Sequence, residues 1–276
     1  MAITKFNQTL WSNLLLQATR ERIAYQQVVN NVGRIVGNKM VFPGIGDIDV
    51  KQYTKNTAMD LQVADDYQVE IDLDQQHYFN VVVDDIDQAQ TQSAILTEVA
   101  RRGGNNLKKV VEQYIAGFHT GAGITADFGN NTTPLELDSG LADATLLKAS
   151  QAMLEADADM GSLWAVVPPW MNTKLTKSTV QTSTDNVSVL ANGYVGQRYG
   201  INLYVSNNVA NDTGEKYKIM IGDSDAIRFG MNLDEVEGLR SQQTFGDILR
   251  GLMVFGGVVS RPETLLTITA NEAAEN

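Results

Sequence analysis

Apolar positions along the chain change their spacing several times, and each change marks an element. From Asn7 to Val32 they recur at helical intervals, with Trp11, Leu14, Leu15, Ala18, Tyr25, Val28 and Val29 on one stripe. Gly33 and Gly37 break the stripe, and Phe42-Pro43-Gly44-Ile45-Gly46 reads as a turn-rich joint. The spacing then drops to two. Ile48 and Val50 alternate with Asp47, Asp49 and Lys51, and Val69, Ile71 and Leu73 alternate with Glu70, Asp72 and Asp74. Such alternation predicts strands with one wet face. The polar stretch from Lys55 to Asp66 reads as the end of a long antiparallel hairpin, and Tyr78 to Val83 as a more buried strand.

A long helix follows. Ile95, Val99, Leu107, Val110, Val111, Tyr114 and Phe118 share one face, with Asp85 or Asp87 suited to cap its start. Gly103-Gly104 should bend or weaken it, and Gly117 and Gly121 should close it. After a polar loop from His119 to Gly140, the pattern turns α/β. A helix with Leu146, Leu147, Met153 and Leu154 precedes a buried strand, Leu163 to Val167. Pro168-Pro169 then opens another helix, because proline lacks only an N–H that the first turn does not use. Ser178 to Asn186 reads as a polar loop. Strands are expected near 201–205, 217–221 and 226–229, and again over 232–240, 248–260 and 265–269.

Composition narrows the function more than the fold. The 276 residues contain no cysteine, which excludes disulfides, thiolate-ligated metals and cysteine nucleophiles. The two histidines, His77 and His119, are too few for a histidine-rich metal site. The net charge of −12 argues against a protein that grips nucleic acid, which needs cationic side chains against phosphate. It suits a surface that must not adhere to nucleic acid, and equally a merely soluble one. The first residues lack the basic-then-apolar order of a secretion signal, and no apolar run is long enough to span a bilayer. A cytoplasmic site of synthesis and assembly, with no membrane, is the expectation.

Candidate chemistry is thin, and no catalytic, cofactor-binding or metal-ligating residue is assigned. Gly222-Asp223-Ser224 has the look of an esterase nucleophile segment, but no histidine follows His119 to act as its base. Gly121-Ala122-Gly123-Ile124-Thr125-Ala126 loosely matches a dinucleotide loop, yet it follows a helix where that loop must follow a strand. Asp84, Asp85 and Asp87 could form a carboxylate pair or cation site, although helix capping explains them more simply. An acidic hydrolase using Asp84, Asp85 or Ser224 stays as a minor alternative.

The order of elements and several ordered stretches resemble a known family. Phe79-Asn80-Val81-Val82-Val83-Asp84-Asp85-Ile86-Asp87-Gln88, Trp164-Ala165-Val166-Val167-Pro168-Pro169, Gly193-Tyr194-Val195-Gly196, Gly200-Ile201-Asn202-Leu203-Tyr204-Val205-Ser206-Asn207, Gly251-Leu252-Met253-Val254-Phe255-Gly256 and Arg261-Pro262 are similar to stretches of tailed-bacteriophage major capsid proteins. The resemblance implies an α+β fold of the Hong Kong 97-like type. Its parts would be an N-terminal arm (1–40), an extended hairpin loop (41–83), a peripheral domain with a spine helix (84–130), an axial α/β domain (131–230) and return strands of the peripheral domain (231–276). It implies a non-enzymatic coat protein, without cofactor, that self-assembles through hexamers and pentamers into an icosahedral head enclosing double-stranded DNA. Scaffolding, portal and decoration proteins would be further partners. An encapsulin-like nanocompartment shell is the alternative on the same fold.

Physics supplies the candidate contacts. A two-stranded excursion cannot bury both its faces, and neither can an amphipathic arm away from a core. Trp11, Leu14, Lys51, Lys55, Val69 and Ile71 are therefore the inter-subunit contact candidates. In some relatives a lysine of the extended loop forms an isopeptide link, and Lys51 and Lys55 lie in the matching region. Solvated charges explain them as well.

Overall fold

Leu163-Trp164-Ala165-Val166-Val167 is apolar without alternation, as a strand covered on both faces must be. In the computed structural model it forms β6 (Trp164–Val167), an inner strand with every residue buried. Trp164 and Val166 point into one core, Ala165 and Val167 into another. The structure describes residues 24–31, 33–36, 38–45, 48–50, 52, 55, 62–63, 66–84, 95–177, 182–183, 194–212, 215–241 and 245–273.

The strand β6 belongs to an eight-stranded sheet. The others are β5 (Leu135–Leu137), β7 (Thr182–Ser183), β8 (Tyr194–Arg198), β9 (Ile201–Val205), β10 (Asn211–Asp212), β11 (Lys216–Gly222) and β14 (Leu265–Glu272), in the order β5-β14-β11-β6-β9-β8-β7 with β10 beside β11. One face is covered by helices of 139–155 and 169–177. Their Leu146, Ala149, Met153, Met171 and Leu175 are fully buried against Ile219, Ile221, Leu266 and Ile268. Asp138 caps the first of these helices, its carboxylate accepting from Leu141 N at 2.7 Å. Leu147 and Leu154 of that helix face outward instead, so only half of its expected apolar set is core.

The opposite face packs on α1 (Ala24–Val28) and on the long α2 (Ile95–Ala116), through Tyr25, Leu107, Val111 and Ile115. The same core holds Phe229, Met253 and Phe255 of a second sheet, ordered β12-β13-β4. Its strands are β12 (Ile227–Arg240), β13 (Gly246–Val259) and β4 (Gln75–Asp84). Each fully buried Phe or Leu contributes about 1.5–3 kcal/mol, so this shared core fuses the two sheets. A third sheet joins β1 (Arg34–Val36), β2 (Lys39–Ile45) and β3 (Asp66–Asp72).

Several expectations are corrected. The first hairpin strand runs through Phe42-Pro43-Gly44-Ile45, the expected joint, while Ile48 and Val50 lie outside any strand. β2 tolerates Pro43 because β1 accompanies it only as far as Val41, which among the described residues leaves one flank unpaired beyond that point. Among the described residues β4 is an edge strand, with Tyr78 and Val82 exposed rather than buried. The strands expected at 226–229 and 232–240 are one, β12, with a register shift between Leu233 and Glu235. The expected polar loop 119–140 holds the short β5, which pairs in parallel with β14. β14, grouped by sequence with the return strands, leaves β12 and β13 for the large sheet.

Glycines 103 and 104 do not interrupt α2. The first leaves room for the ring of Phe79, which a Cβ there would meet at 3.1 Å. The stripe at 24–29 is also not detached: Tyr25, Val28 and Val29 are buried in their own chain. Asp85 and Asp87, as expected helix caps, lie outside the described residues, as does most of the Ser178–Asn186 loop.

Candidate assembly surfaces

The hairpin β2–β3 is apolar at both ends, and the two ends differ in what covers them. At the base, Met40, Phe42, Ile71 and Leu73 close over Val254 of β13. Gly230 and Gly256 permit this approach: a Cβ on Gly256 would collide with the carbonyl of Asp72, and one on Gly230 with Met40. Ile71, 3% exposed, is thus committed to its own chain rather than free for a neighbour. The described pairing runs as far as Ile45 and Asp66, and farther out Val50 is 98% and Val63 84% exposed. Asp49 N donates to Gln62 Oε1 at 2.9 Å across this outer part. The seven residues paired along β2, at about 3.3 Å each, carry the end roughly 20 Å from the β2 start.

Of the other candidates, Lys55 sits on an exposed turn of this outer part, and Val69 is paired with Phe42 in β3. Trp11, Leu14 and Lys51 lie outside the described residues. The sequence pattern did not single out Val63 or the exposed aromatic Phe245, just before β13. The available signal for Phe245 was a lone ring beside the polar run Ser241-Gln242-Gln243-Thr244.

A groove of about 430 Å³ separates β4 from α2, lined by His77, Phe79, Val99, Arg102 and Asn106 among others. His77 stacks on Phe255 at 5.4 Å between ring centres, so it acts as an aromatic plate. At the rim, Glu98 accepts from Arg101 at 2.7 Å and from Arg102 at 2.8 Å. These hydrogen bonds hold its carboxyl at about 2, well below the usual range.

Groups that suggested chemistry have structural work. Asp223 is 2% exposed, and its Oδ1 accepts from Asp225 N and Thr264 Oγ1, both at 3.1 Å. Its carbonyl accepts from Trp164 Nε1 at 2.7 Å. The neighbouring Ser224 is exposed. His119 Nδ1 lies 3.0 Å from Ala116 O, at the end of α2. Gly123 sits where a Cβ would meet the Pro262 backbone, leaving no space for a phosphate cradle. Among the described residues there is no group of three or more metal-binding side chains, and no helix is long and apolar enough to cross a membrane. What these surfaces offer, among the described residues, is contact area.

A family model described as phage capsid protein matches residues 66–268, from β3 into β14. The chain belongs to the phage capsid protein family. As a coat protein it is a structural component of a virion. Solved structures share the fold. That of Mycobacterium phage Che8 superimposes with a TM-score of 0.66 at 24% identity, over 88% of this chain and 90% of the other. The capsid of Ralstonia phage GP4 gives 0.69 at 12% identity, over 94% and 93%. The virus-like particle from Pyrococcus furiosus gives 0.58 at 15% identity, over 94% and 97%. Among curated protein sequences, none matches.

Proposed function

We propose that this coat protein has the Hong Kong 97-like architecture and builds a phage's icosahedral head from hexamers and pentamers around double-stranded DNA. Residues 1–40 would be the arm and 41–83 the extended loop. The spine-helix region would span 84–130, the axial region 131–230 and the returning strands 231–276, with β14 contributing to the axial sheet. The observation that carries the reading is the divided hairpin: its base is sealed in its own chain while Val50 and Val63 stay largely exposed. Such apolar area is stable chiefly when a sister subunit covers it. Contacts that do not close on a dimer build rings, and rings of five and six tile a shell.

The mechanism is packing rather than turnover. Asp223 is fully engaged in holding the Gly222–Ser224 turn to Thr264, which supports a non-enzymatic role. The net charge of −12 keeps the wall from adhering to the DNA it encloses. Scaffolding, portal and decoration proteins fit as partners of such a shell, assembled in the host cytoplasm. Electron microscopy of the purified protein tests the reading. Closed particles or ring-shaped capsomers are expected, and a monomer at every concentration overturns it.

A further inference from the structure

Lys218 places a cation beside the core that the two sheets share. It lies on β11, and its side chain is 5% exposed. Two residues along the same face, Met220 is buried in that core. Lysine is rarely buried to this degree unless its amine has a partner. Here Nζ donates to Thr269 Oγ1 on the paired strand at 3.2 Å, and also to the side-chain oxygen of Asn131. The Asp212 carboxylate, half exposed on β10, stands 3.6 Å away.

The loop that carries Asn131 holds this side chain in place. Asn130 Oδ1 accepts from Thr132 N and Thr133 N, both at 2.8 Å. Gly129, at a φ of 78°, lies so close to the Thr269 carbonyl that a Cβ would collide with it. Phe128 O accepts from Thr269 N at 2.9 Å, and Lys216 Nζ donates to the Asn131 carbonyl at 2.8 Å. An amine, a carboxamide and a carboxylate are thus gathered at one point, although Asn131 and Lys218 are 87 residues apart.

We propose that Lys218 and Asn131 join in an isopeptide bond within one chain, formed by the folded chain itself. Lys218 Nζ, as the uncharged amine, attacks Cγ of Asn131. Asp212 accepts the proton that Nζ gives up and passes it to Nδ2. The Cγ–Nζ bond forms, the Cγ–Nδ2 bond breaks, and ammonia leaves. No oxidant or co-reactant is consumed, and each chain reacts once, without turnover. Holding the reacting groups in contact replaces a chance encounter, which is what brings amide exchange between two side chains within reach. The link encloses β6, β8 and β9 in one covalent loop, and it restricts the unfolded chain as a disulfide does. It is independent of Lys51 and Lys55 and of assembly, because both partners belong to one fold.

Intact-mass measurement of the full-length chain reads the reaction directly. The wild type is expected to be lighter than its sequence by one ammonia. Its tryptic digest should contain a branched peptide joining Lys218 to Asn131, with no cut after Lys218. Lys218→Met and Asn131→Ala should each show the full mass of their own sequence, and Asp212→Asn should slow the loss. A cyclic imide at Asn131 also loses ammonia, but it persists in Lys218→Met and gives no branched peptide. That result overturns the proposal. So does a full wild-type mass after prolonged incubation, with Lys218 cut normally, which would leave a hydrogen bond and nothing more. Either result leaves the shell reading untouched, since particle formation is read separately by microscopy.

Discussion

Glu112 of α2 accepts a hydrogen bond from the backbone N–H of Ala24 at 2.9 Å, joining positions 88 residues apart. The same buried carboxylate accepts from Ser206 Oγ at 3.2 Å and from the amide of Asn208. It therefore ties the entry of the N-terminal segment and the turn after β9 to one point on the long helix. The Tyr25 phenol nearby is pushed well above its usual pKa, first by burial and then by this carboxylate.

Glu112→Ala is expected to lower stability by about 1–3 kcal/mol, because buried donors lose their acceptor. Denaturant unfolding measures the loss. Limited proteolysis should show earlier cleavage near Ala24 in the variant. Unchanged cleavage would mean that packing of Tyr25 and Val28 alone holds the segment.

The hairpin base makes a second, sharper demand. Gly256→Ala sets a methyl against the Asp72 carbonyl, and neither strand can yield without breaking its ladder. A cost of about 1–3 kcal/mol is expected, as for other overpacked sites. Gly117→Ala is the control: nothing lies within 4 Å of where its methyl would stand. Its stability should therefore move by less than about 0.5 kcal/mol.

The hairpin's outer part should separate folding from assembly. Val50→Asp and Val63→Asp remove little burial in the isolated chain, so thermal unfolding should change by less than about 0.5 kcal/mol. Particle yield by sedimentation should fall for both. Wild-type yield from the double variant would mean that this part has no neighbour in the shell.

Acid acts on the rim of the α2–β4 groove. The folded-state pKa of Glu98 is depressed from 4.5 to about 2, first by the Arg101 hydrogen bond and then by that of Arg102. A depressed carboxyl stabilises the fold above its ordinary value and loses that contribution as pH falls through 4.5 toward 2. Wild type and Glu98→Gln should therefore differ slightly at neutral pH and converge near pH 2. High salt should shrink the neutral-pH difference, because the pair lies at the surface, half exposed. A gap that is constant across this range would assign the effect to helix propensity instead.

Ser224 separates coat from enzyme. Ser224→Ala should leave melting and particle formation unchanged, whereas Asp223→Ala, which releases Thr264 and Asp225, should cost about 1–3 kcal/mol. Loss of a hydrolytic activity on Ser224→Ala would count for the alternative.

Much of the fold is written in local pattern. Leu163 to Val167 before Pro168-Pro169 specifies a buried strand and a helix start, and the stripe from Leu107 to Phe118 specifies the long helix. What local pattern does not carry is pairing. β14 reads as a strand from its own residues, but its place between β5 and β11 depends on partners far away in sequence. Pro43 and Gly44 look like a turn because nothing local reveals the free flank of β2. Tyr78 to Val83 looks buried because apolar residues on an exposed sheet edge resemble core in their local pattern. The contact candidates suffer the same ambiguity. Ile71 and Val50 sit in similar alternations, and only the tertiary structure seals the one and bares the other.

The position of β14 has a consequence for how the coat is made. It is synthesised after both of the strands it lies between, and Leu265, Leu266 and Ile268 complete the two cores of the large sheet. A chain still on the ribosome thus has an open slot between β5 and β11, where contacts distant in sequence must form late. Prematurely ended chains would keep that slot and never acquire a finished surface, so the growing particle is offered only fully translated building blocks.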